Sequence, residues 1–392
     1  MIKLAQCMSR LGTESAFEVL ARARALEAQG KEIIHLEIGE PDFDTPSHII
    51  EAACQALRQG ATHYTPSAGI PQLRQAIAEA MSQARGYPID WQQVVVTPGA
   101  KPIMFYVILA LGEPGAEIIY PNPGFPIYES MINFTGAKAV PIPLREERDF
   151  RFDVNELRSL VTPRTRLIIL NSPHNPTGGV LEPEDLKAIA EICVQRDIPV
   201  LTDEVYEHIL YEGKFASITT YPGMSPAERS IILHGFSKTY AMTGWRLGFG
   251  IMPRDLAEHV TRLMTNSNSC TNAATQWAGI AALKGPQDSV AQMVEAFRQR
   301  RDVIVEGLNS IPGIRCRKPK GAFYVFPNIQ GTGMDSRTCE RFLMDEAGVA
   351  CLSGTAFGQY GEGYLRLSYA NSVENIQKAL ERIAKALAKR RA

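Results

Sequence analysis

Residues 166–179 have the sequence RLIILNSPHNPTGG, in which an apolar run leads into a polar turn with two prolines and a glycine pair. The run lacks polar alternation, which is typical of a strand that is covered on both faces. The prolines and glycines constrain the turn, and an Asn-Pro bond such as that at 175–176 can be cis. The stretch therefore predicts a buried strand and a rigid turn. A plain connecting loop is the alternative, but the density of constraint favours a functional turn.

Further apolar runs extend this pattern along the chain. They cover residues 94–96, 117–120, 199–202 and 231–233. Amphipathic helices lie between the runs, such as Pro183–Arg196, in which apolar residues recur at helical spacing. The alternation predicts an α/β fold, with a mostly parallel sheet flanked by helices. In such sheets, ligands bind at the carboxyl ends of the strands.

The pattern changes after residue 285. A long helix is predicted from Gln287 to about Ser310. Shorter elements follow it, with strands at 322–326, 349–352 and 364–368 and a helix from Val373 to Ala388. These elements predict an α+β unit. We therefore expect a large domain formed by residues 46–285, and a smaller α+β domain formed by residues 1–45 and 286–392.

The composition excludes several classes of protein. The formal net charge is −1, from 41 basic and 42 acidic residues, and no segment concentrates one sign, so nucleic-acid or membrane binding is not expected. The seven cysteines form no CxxC pair, which argues against a disulfide framework and a metal site and favours a reducing compartment. The longest apolar run, 103–111, is about half a membrane span, and the N-terminus lacks a secretory signal pattern. We expect a cytoplasmic enzyme.

Basic residues follow the apolar run at 231–233. Lys238 stands five residues beyond that run, and Arg246 eight residues later. A lysine can form an imine with an aldehyde where its amine is kept unprotonated. An arginine can hold a phosphate through a bidentate fork. Taken alone, each is more often a solvated or ion-paired surface residue.

Two other strand ends carry candidate binding groups. Asp203 follows the run at 199–202, and in extended geometry it shares a face with Val205. An aspartate beside a pyridine ring would keep the ring nitrogen protonated, although aspartate at this place is also a common helix N-cap. Residues 97–101, TPGAK, enter a helix through a small-residue turn whose free N–H groups could bind a phosphate.

In their order and spacing, these motifs resemble the class I/II aminotransferases of pyridoxal-phosphate (PLP) fold type I, close to the aspartate-aminotransferase-like branch. The resemblance spans nearly the full length. It rests on EPDFDTP at 40–46, YTP at 64–66, GIPQLR at 69–74, SPHNPTG at 172–178, DEVY at 203–206, SK at 237–238, GWR at 244–246, GAFY at 321–324 and RLSY at 366–369. It implies an enzyme that exchanges an amino group between an L-amino acid and a 2-oxo acid by a ping-pong mechanism.

The resemblance also implies catalytic roles. Lys238 would bind PLP as a Schiff base and then move a proton at the substrate α-carbon. Asp203 would pair with the pyridine nitrogen, while Asn175 and Tyr206 would hydrogen-bond the phenolic oxygen. Phe125 would stack on one face of the ring, with Val205 on the other; Phe125 could also be an ordinary core aromatic residue.

Further residues are implied around the phosphate and the substrate. The phosphate would be surrounded by Gly99, Ala100, Lys101, Ser237 and Arg246, with Tyr64 reaching in from a second subunit. That role of Tyr64 implies a homodimer with shared active sites. Arg366 would clamp the substrate α-carboxylate, and Gly39, Phe125 and Asn175 would line the same pocket.

The sequence departs from the family at one position and leaves alternatives open. Many relatives carry Ser or Thr where this chain has Gly235. A PLP-dependent carbon–sulfur lyase would share every cofactor residue named above. A PLP-binding regulatory protein usually appends a DNA-binding module, for which the residues before 40 leave no room.

The donor amino acid is also left open. Aspartate or an aromatic amino acid is expected, while alanine and branched-chain donors are not excluded. A dicarboxylate would need a second cation, for which Lys101 is a candidate, although Lys101 could equally face the phosphate or solvent.

Overall fold

The computed structural model describes residues 2–391, which form twelve strands and twelve α-helices. The strands are β1 (Ile34–His35), β2 (Val94–Thr97), β3 (Glu117–Asn122), β4 (Lys138–Pro143), β5 (Thr165–Asn171), β6 (Val200–Asp203), β7 (Ser230–Gly235), β8 (Gly248–Ile251), β9 (Tyr324–Val325), β10 (Val349–Ala350), β11 (Leu352–Ser353) and β12 (Leu365–Ser368). The helices are α1 (Ala16–Glu27), α2 (Ser47–Arg58), α3 (Pro71–Arg85), α4 (Lys101–Leu111), α5 (Ile127–Thr135), α6 (Val154–Leu160), α7 (Pro183–Arg196), α8 (Arg254–Ser267), α9 (Ala273–Lys284), α10 (Asp288–Ser310), α11 (Ser336–Phe342) and α12 (Val373–Arg391).

Seven strands form the main sheet, in the order β2-β8-β7-β6-β5-β3-β4. Strand β8 runs antiparallel to both of its neighbours, and the other pairings are parallel. The predicted α/β fold with a mostly parallel sheet is therefore confirmed. All five apolar runs that were predicted as strands lie in this sheet.

Helices cover both faces of the sheet. Since successive side chains of a strand point to opposite faces, they enter different cores. On β5, Leu167 and Ile169 pack with α4, α5 and α8. Ile168 and Leu170 pack on the opposite face with α7 and with the N-terminal helix α1. Helices α2, α3 and α9 cover the β2–β8 end of the sheet. The sheet is therefore buried on both faces, as its unbroken apolar runs predicted.

The smaller sheets form mostly from residues after 320. Strands β11, β12 and β9 make an antiparallel sheet, and β1 pairs in parallel with β10. Helices α10 and α12 pack with β9 and β12 in another apolar core, which Tyr206, Ile209 and Tyr211 from the segment after β6 also enter. The division into domains 46–285 and 1–45 with 286–392 stays a prediction. No helix within residues 2–391 is both long and apolar enough to cross a membrane.

Two strands of the main sheet were not predicted from the sequence. Strand β4 contains Pro141 and Pro143, which are tolerated because β4 is the edge strand. Strand β8 contains Gly248 and Gly250, residues that are depleted in strands. A Cβ atom at Gly248 would collide with the backbone of Gly99 and Ala100, so this strand needs glycine for packing.

Candidate active site

A cavity of about 520 Å³ opens at the carboxyl edge of the main sheet. Strands β5 and β6 end side by side, with Asn171 and Asp203 in register. Lys238 follows three residues after the end of β7, which pairs with β6. Eleven of the predicted site residues line this cavity: Gly39, Ala100, Lys101, Phe125, Asn175, Asp203, Tyr206, Ser237, Lys238, Arg246 and Arg366. Val205 lines it as well.

Lys238 lies half-buried in the cavity. Its Nζ donates a 2.5 Å hydrogen bond to the carbonyl oxygen of Gly39. Burial lowers the pKa of Lys238 to about 8, and the nearby cations Arg366 and Arg246 act in the same direction, whereas Glu40 and Glu14 oppose it. An amine with this pKa is partly unprotonated near neutral pH, as a nucleophile or a base requires.

Asp203 is buried at the end of β6. Its Oδ2 accepts a 2.5 Å hydrogen bond from the Tyr128 hydroxyl, and its Oδ1 accepts one of 3.3 Å from the Val205 N–H. Burial raises the pKa of Asp203 to about 6, although both hydrogen bonds counteract the rise. The Asn171 side chain fixes the adjoining backbone, since its Nδ2 donates to the Asp203 carbonyl at 3.1 Å.

Arg366 is buried on β12, next to the turn that follows β5. One guanidinium nitrogen donates a 3.2 Å hydrogen bond to Oδ1 of Asn175, and the other donates to the Glu37 carbonyl. The guanidinium carbon lies 4.5 Å from the centre of the Tyr324 ring. Its Nε has no hydrogen-bond partner among residues 2–391. A buried donor without a partner is costly, so this nitrogen favours an anionic ligand.

The loop at the start of α4 packs closely against Arg246. Gly99 has a φ of +91°, and a Cβ atom there would overlap the Arg246 guanidinium. Arg246 donates a 2.8 Å hydrogen bond to the Thr243 carbonyl. A Cβ atom at Gly235 would lie 3.3 Å from that of Ala100, so a side chain at 235 would crowd the same loop.

Two predicted residues lie apart from the lining. Gly99 contributes through its contact with Arg246 rather than by lining the cavity. Tyr64 is 90% exposed and lies outside the cavity of its own chain. The predicted reach of Tyr64 into a second subunit is consistent with this exposure and stays a prediction.

Lys101 does not stand free in the cavity. Its Nζ makes an ion pair with Glu14, and it lies 5.3 Å from the centre of the Phe125 ring. The Lys101 side chain is 46% exposed, whereas that of Glu14 is only 19% exposed. The sequence left three partners open for Lys101, which were a substrate carboxylate, the phosphate and solvent. The structure adds a fourth, a carboxylate from the N-terminal segment.

Sequence reasoning missed three residues that shape this site. Tyr128 stands one helical turn beyond Phe125, and that spacing could have suggested a shared face. Tyr324 belongs to the motif at 321–324, and its hydroxyl lies 2.7 Å from that of Tyr206. Glu14 lies far from every other site residue in sequence and in no motif, so only the fold could reveal it.

A family model for aminotransferase class I and II matches residues 31–383. The chain belongs to the class I and II aminotransferases. This aminotransferase is 44% identical to the aspartate aminotransferase of Pyrococcus horikoshii over 94% of its own length and 93% of the relative's. It is 42% identical to the aromatic-amino-acid aminotransferase 2 of Thermococcus litoralis, over 92% and 93% of the two chains.

A solved structure supports the same assignment. The Thermus thermophilus aspartate aminotransferase with maleate superposes on this aminotransferase with a TM-score of 0.94 and 37% identity, covering 98% of this chain and 100% of the other. The predicted family, fold class and enzyme activity are therefore confirmed. The carbon–sulfur lyase alternative gains no support from these relatives.

Proposed function

We propose that this aminotransferase uses PLP to exchange an amino group between an L-amino acid and a 2-oxo acid by a ping-pong mechanism. The amino donor is aspartate or an aromatic amino acid, because the relatives carry those names. One observation carries the proposal. A lysine amine, a buried carboxylate and two arginines line a single cavity at the carboxyl edge of the sheet.

The chemical groups in the cavity match those of the cofactor. PLP presents an aldehyde, a ring nitrogen and a phosphate. Lys238 offers an amine of lowered pKa to the aldehyde, and Asp203 offers a carboxylate to the ring nitrogen. The phosphate would be held by the Arg246 guanidinium, by Ser237, and by the residues that open α4, which are Gly99, Ala100 and Lys101.

The remaining residues surround the cofactor ring. Phe125 and Val205 both line the cavity, which supports their contact with opposite faces of the ring. Tyr206 and Asn175 are buried hydrogen-bonding groups, suited to the phenolic oxygen. When bound, PLP supplies an electron sink for the charge that develops at the substrate α-carbon.

The protein itself positions the substrate and moves its proton. Arg366 binds the α-carboxylate through its guanidinium fork, and Asn175 orients that fork. Lys238 removes the proton from the substrate α-carbon as a general base, a role that its pKa of about 8 supports. Asp203 keeps a negative charge beside the ring nitrogen, and the Gly39 backbone lines the substrate side of the cavity.

We also propose that the enzyme is a homodimer with shared active sites. Tyr64 is 90% exposed, so nearly its whole side chain is available for a second subunit to cover. Ile2 and Leu4 are likewise exposed near the N-terminus. The apolar core that α10 and α12 form with β9 and β12 supports a small domain built around residues 286–392. We propose that residues 1–45 complete this domain and that residues 46–285 form the large one. The seven free cysteines support a cytoplasmic location.

A substrate panel tests this function. The purified enzyme is incubated with each common amino acid against 2-oxoglutarate, oxaloacetate, pyruvate and phenylpyruvate, and the new 2-oxo acid is measured. We expect product formation that requires an acceptor. Release of ammonia and pyruvate without an acceptor would instead indicate a lyase.

A further inference from the structure

The charges that line the cavity leave no unpaired cation for a second substrate carboxylate. Its cations are Lys101, Lys238, Arg246 and Arg366, and its carboxylates are Glu14, Glu40 and Asp203. In the proposed function, Lys238 and Arg246 serve the cofactor and Arg366 serves the α-carboxylate. The residues that open α4, Lys101 among them, would serve the phosphate through their backbone N–H groups, so only the Lys101 side chain is left to meet the substrate side chain. Glu14 already neutralises that side chain.

Glu14 is well placed to hold this pair. It lies just before α1, where the amino end of a helix stabilises negative charge. Its side chain is only 19% exposed, so the carboxylate belongs to the cavity wall rather than to bulk solvent. It lines the same cavity as Lys238 and Arg366.

Four apolar residues line the cavity as well, which are Phe17, Ile38, Met104 and Phe125. Phe125 lies beside Lys101, Met104 follows Lys101 by three residues on α4, and Phe17 follows Glu14 by three residues. Aromatic rings pack well against aromatic side chains, and methionine adapts to irregular apolar shapes. The cavity therefore offers contact area to a large uncharged side chain, while the Lys101–Glu14 pair offers no net positive charge to an acidic one.

We propose that Glu14 determines the substrate class, so that the enzyme prefers L-amino acids with aromatic or large apolar side chains over aspartate and glutamate. This inference rests on the proposed function and narrows it. A second carboxylate entering the cavity is attracted by Lys101 and repelled by Glu14, and these two effects nearly cancel. An uncharged side chain meets neither effect and gains the apolar contacts.

The substitution Glu14→Gln separates these effects because it keeps the side-chain shape and frees Lys101. The enzyme loaded with PLP is mixed with L-phenylalanine or L-aspartate without an acceptor, and the 2-oxo acid formed in one turnover is timed. We expect the wild type to favour phenylalanine. Glu14→Gln should shift the ratio of the two rate constants towards aspartate by about tenfold or more, as for a charge-assisted hydrogen bond gained.

Two further variants make the test specific. Glu18 is exposed in the first turn of α1, four residues after Glu14, so Glu18→Gln should leave the ratio unchanged. Adding Lys101→Met to Glu14→Gln should abolish the gain in aspartate reactivity, since the freed cation is then absent. Faster reaction of the wild type with aspartate, or an unchanged ratio in Glu14→Gln, would overturn the inference while leaving the aminotransferase function intact.

Equilibrium binding distinguishes failure of this inference from failure of the function. Succinate and 3-phenylpropionate lack the amino group and do not react, so calorimetry reports their affinities without turnover. We expect 3-phenylpropionate to bind the wild type more tightly, and succinate affinity to rise about tenfold in Glu14→Gln. Absence of any 2-oxo acid product would refute the function, whereas an unchanged succinate affinity would refute the role of Glu14.

Discussion

Tyr128 donates a 2.5 Å hydrogen bond to Oδ2 of Asp203 across 75 residues of sequence. Both side chains are buried, and Asp203 lies at the end of β6 in the cavity wall. A hydroxyl that bonds a carboxylate stabilises its charged form, so Tyr128 acts against the rise in pKa that burial imposes on Asp203. Tyr128 is therefore a positioning residue, which acts on the cofactor through Asp203.

Replacing Tyr128 by Phe should raise the pKa of Asp203 above its value of about 6. Loss of a hydrogen bond to a buried charged group costs about 1.5 to 3 kcal/mol, which would leave only about half to a tenth of the Asp203 carboxylate ionised at pH 7, so kcat/KM should fall about two- to tenfold there. The acid limb of the pH–rate profile should move to higher pH. Tyr106→Phe is the control, since its hydroxyl bonds Ser267 and Asn268 instead. An unmoved acid limb would contradict the role of Tyr128.

Asp203→Asn should stabilise the protein without PLP while impairing catalysis. Because burial raises the pKa of Asp203 from its usual value of 3.8 to about 6, the charged carboxylate destabilises the fold at higher pH. This cost is complete above pH 6 and declines as pH falls from about 6 to about 4. The free energy of unfolding should increase by on the order of 2 to 3 kcal/mol at pH 8, and by less at pH 5. Urea denaturation at the two pH values measures this difference. An equal gain in the free energy of unfolding at pH 8 and pH 5 would show that the charged carboxylate does not destabilise the fold.

Five strands of the main sheet and its ligand edge could be predicted, because buried parallel strands have a strong local signal. The run at 166–170 can be recognised as a strand from its own residues. Because neighbouring parallel strands end at the same edge of the sheet, the polar residues at their ends meet there. Strands β4 and β8 were missed because their prolines and glycines oppose strand formation locally. Strand β4 tolerates its prolines because it lies at the edge of the sheet, and β8 needs glycine because it packs closely against residues 99–100. Neither feature can be read from the sequence.

Site residues could be predicted where they lie in a motif at the end of a recognisable strand. Asp203 ends a strand and Asn175 and Lys238 follow soon after strands, so the topology brings the three into one cavity. Tyr128 and Glu14 lie on other elements, and their relation to the site depends on how α5 and α1 pack. Such contacts depend on tertiary structure, which local patterns do not encode.

Gly248→Ala should disrupt the loop that is proposed to hold the phosphate. A Cβ atom at 248 would collide with the backbone of Gly99 and Ala100, so β8 or the loop must shift. We expect a loss of about 1 to 3 kcal/mol in the free energy of unfolding, and at least about tenfold weaker PLP binding by absorbance titration. Gly244→Ala is the matched control, because a Cβ atom there meets nothing within 4 Å. Similar PLP affinities in both variants would refute the close approach.

Arg85 is expected to be essential for stability. Its guanidinium is buried and forms ion pairs with Glu204 and Glu207. Arg85→Met leaves two buried carboxylates without their cation, which should cost about 3 to 5 kcal/mol in urea denaturation. Arg58→Met removes only an exposed pair with Glu51, so its effect should stay within about 0.5 kcal/mol. Equal effects of the two variants would contradict the importance of burial.

Lys238 should be the single attachment point of PLP. Borohydride reduction of the enzyme loaded with PLP should fix a phosphopyridoxyl group on Lys238 and on no other lysine, as peptide mass spectrometry would report. Because only the unprotonated amine reacts and the pKa of Lys238 is about 8, attachment should accelerate as pH rises and level off above pH 8. Lys238→Ala should abolish turnover yet retain weak PLP binding, since Arg246 and Asp203 remain. Label on Lys101, the other lysine in the cavity, would contradict this assignment.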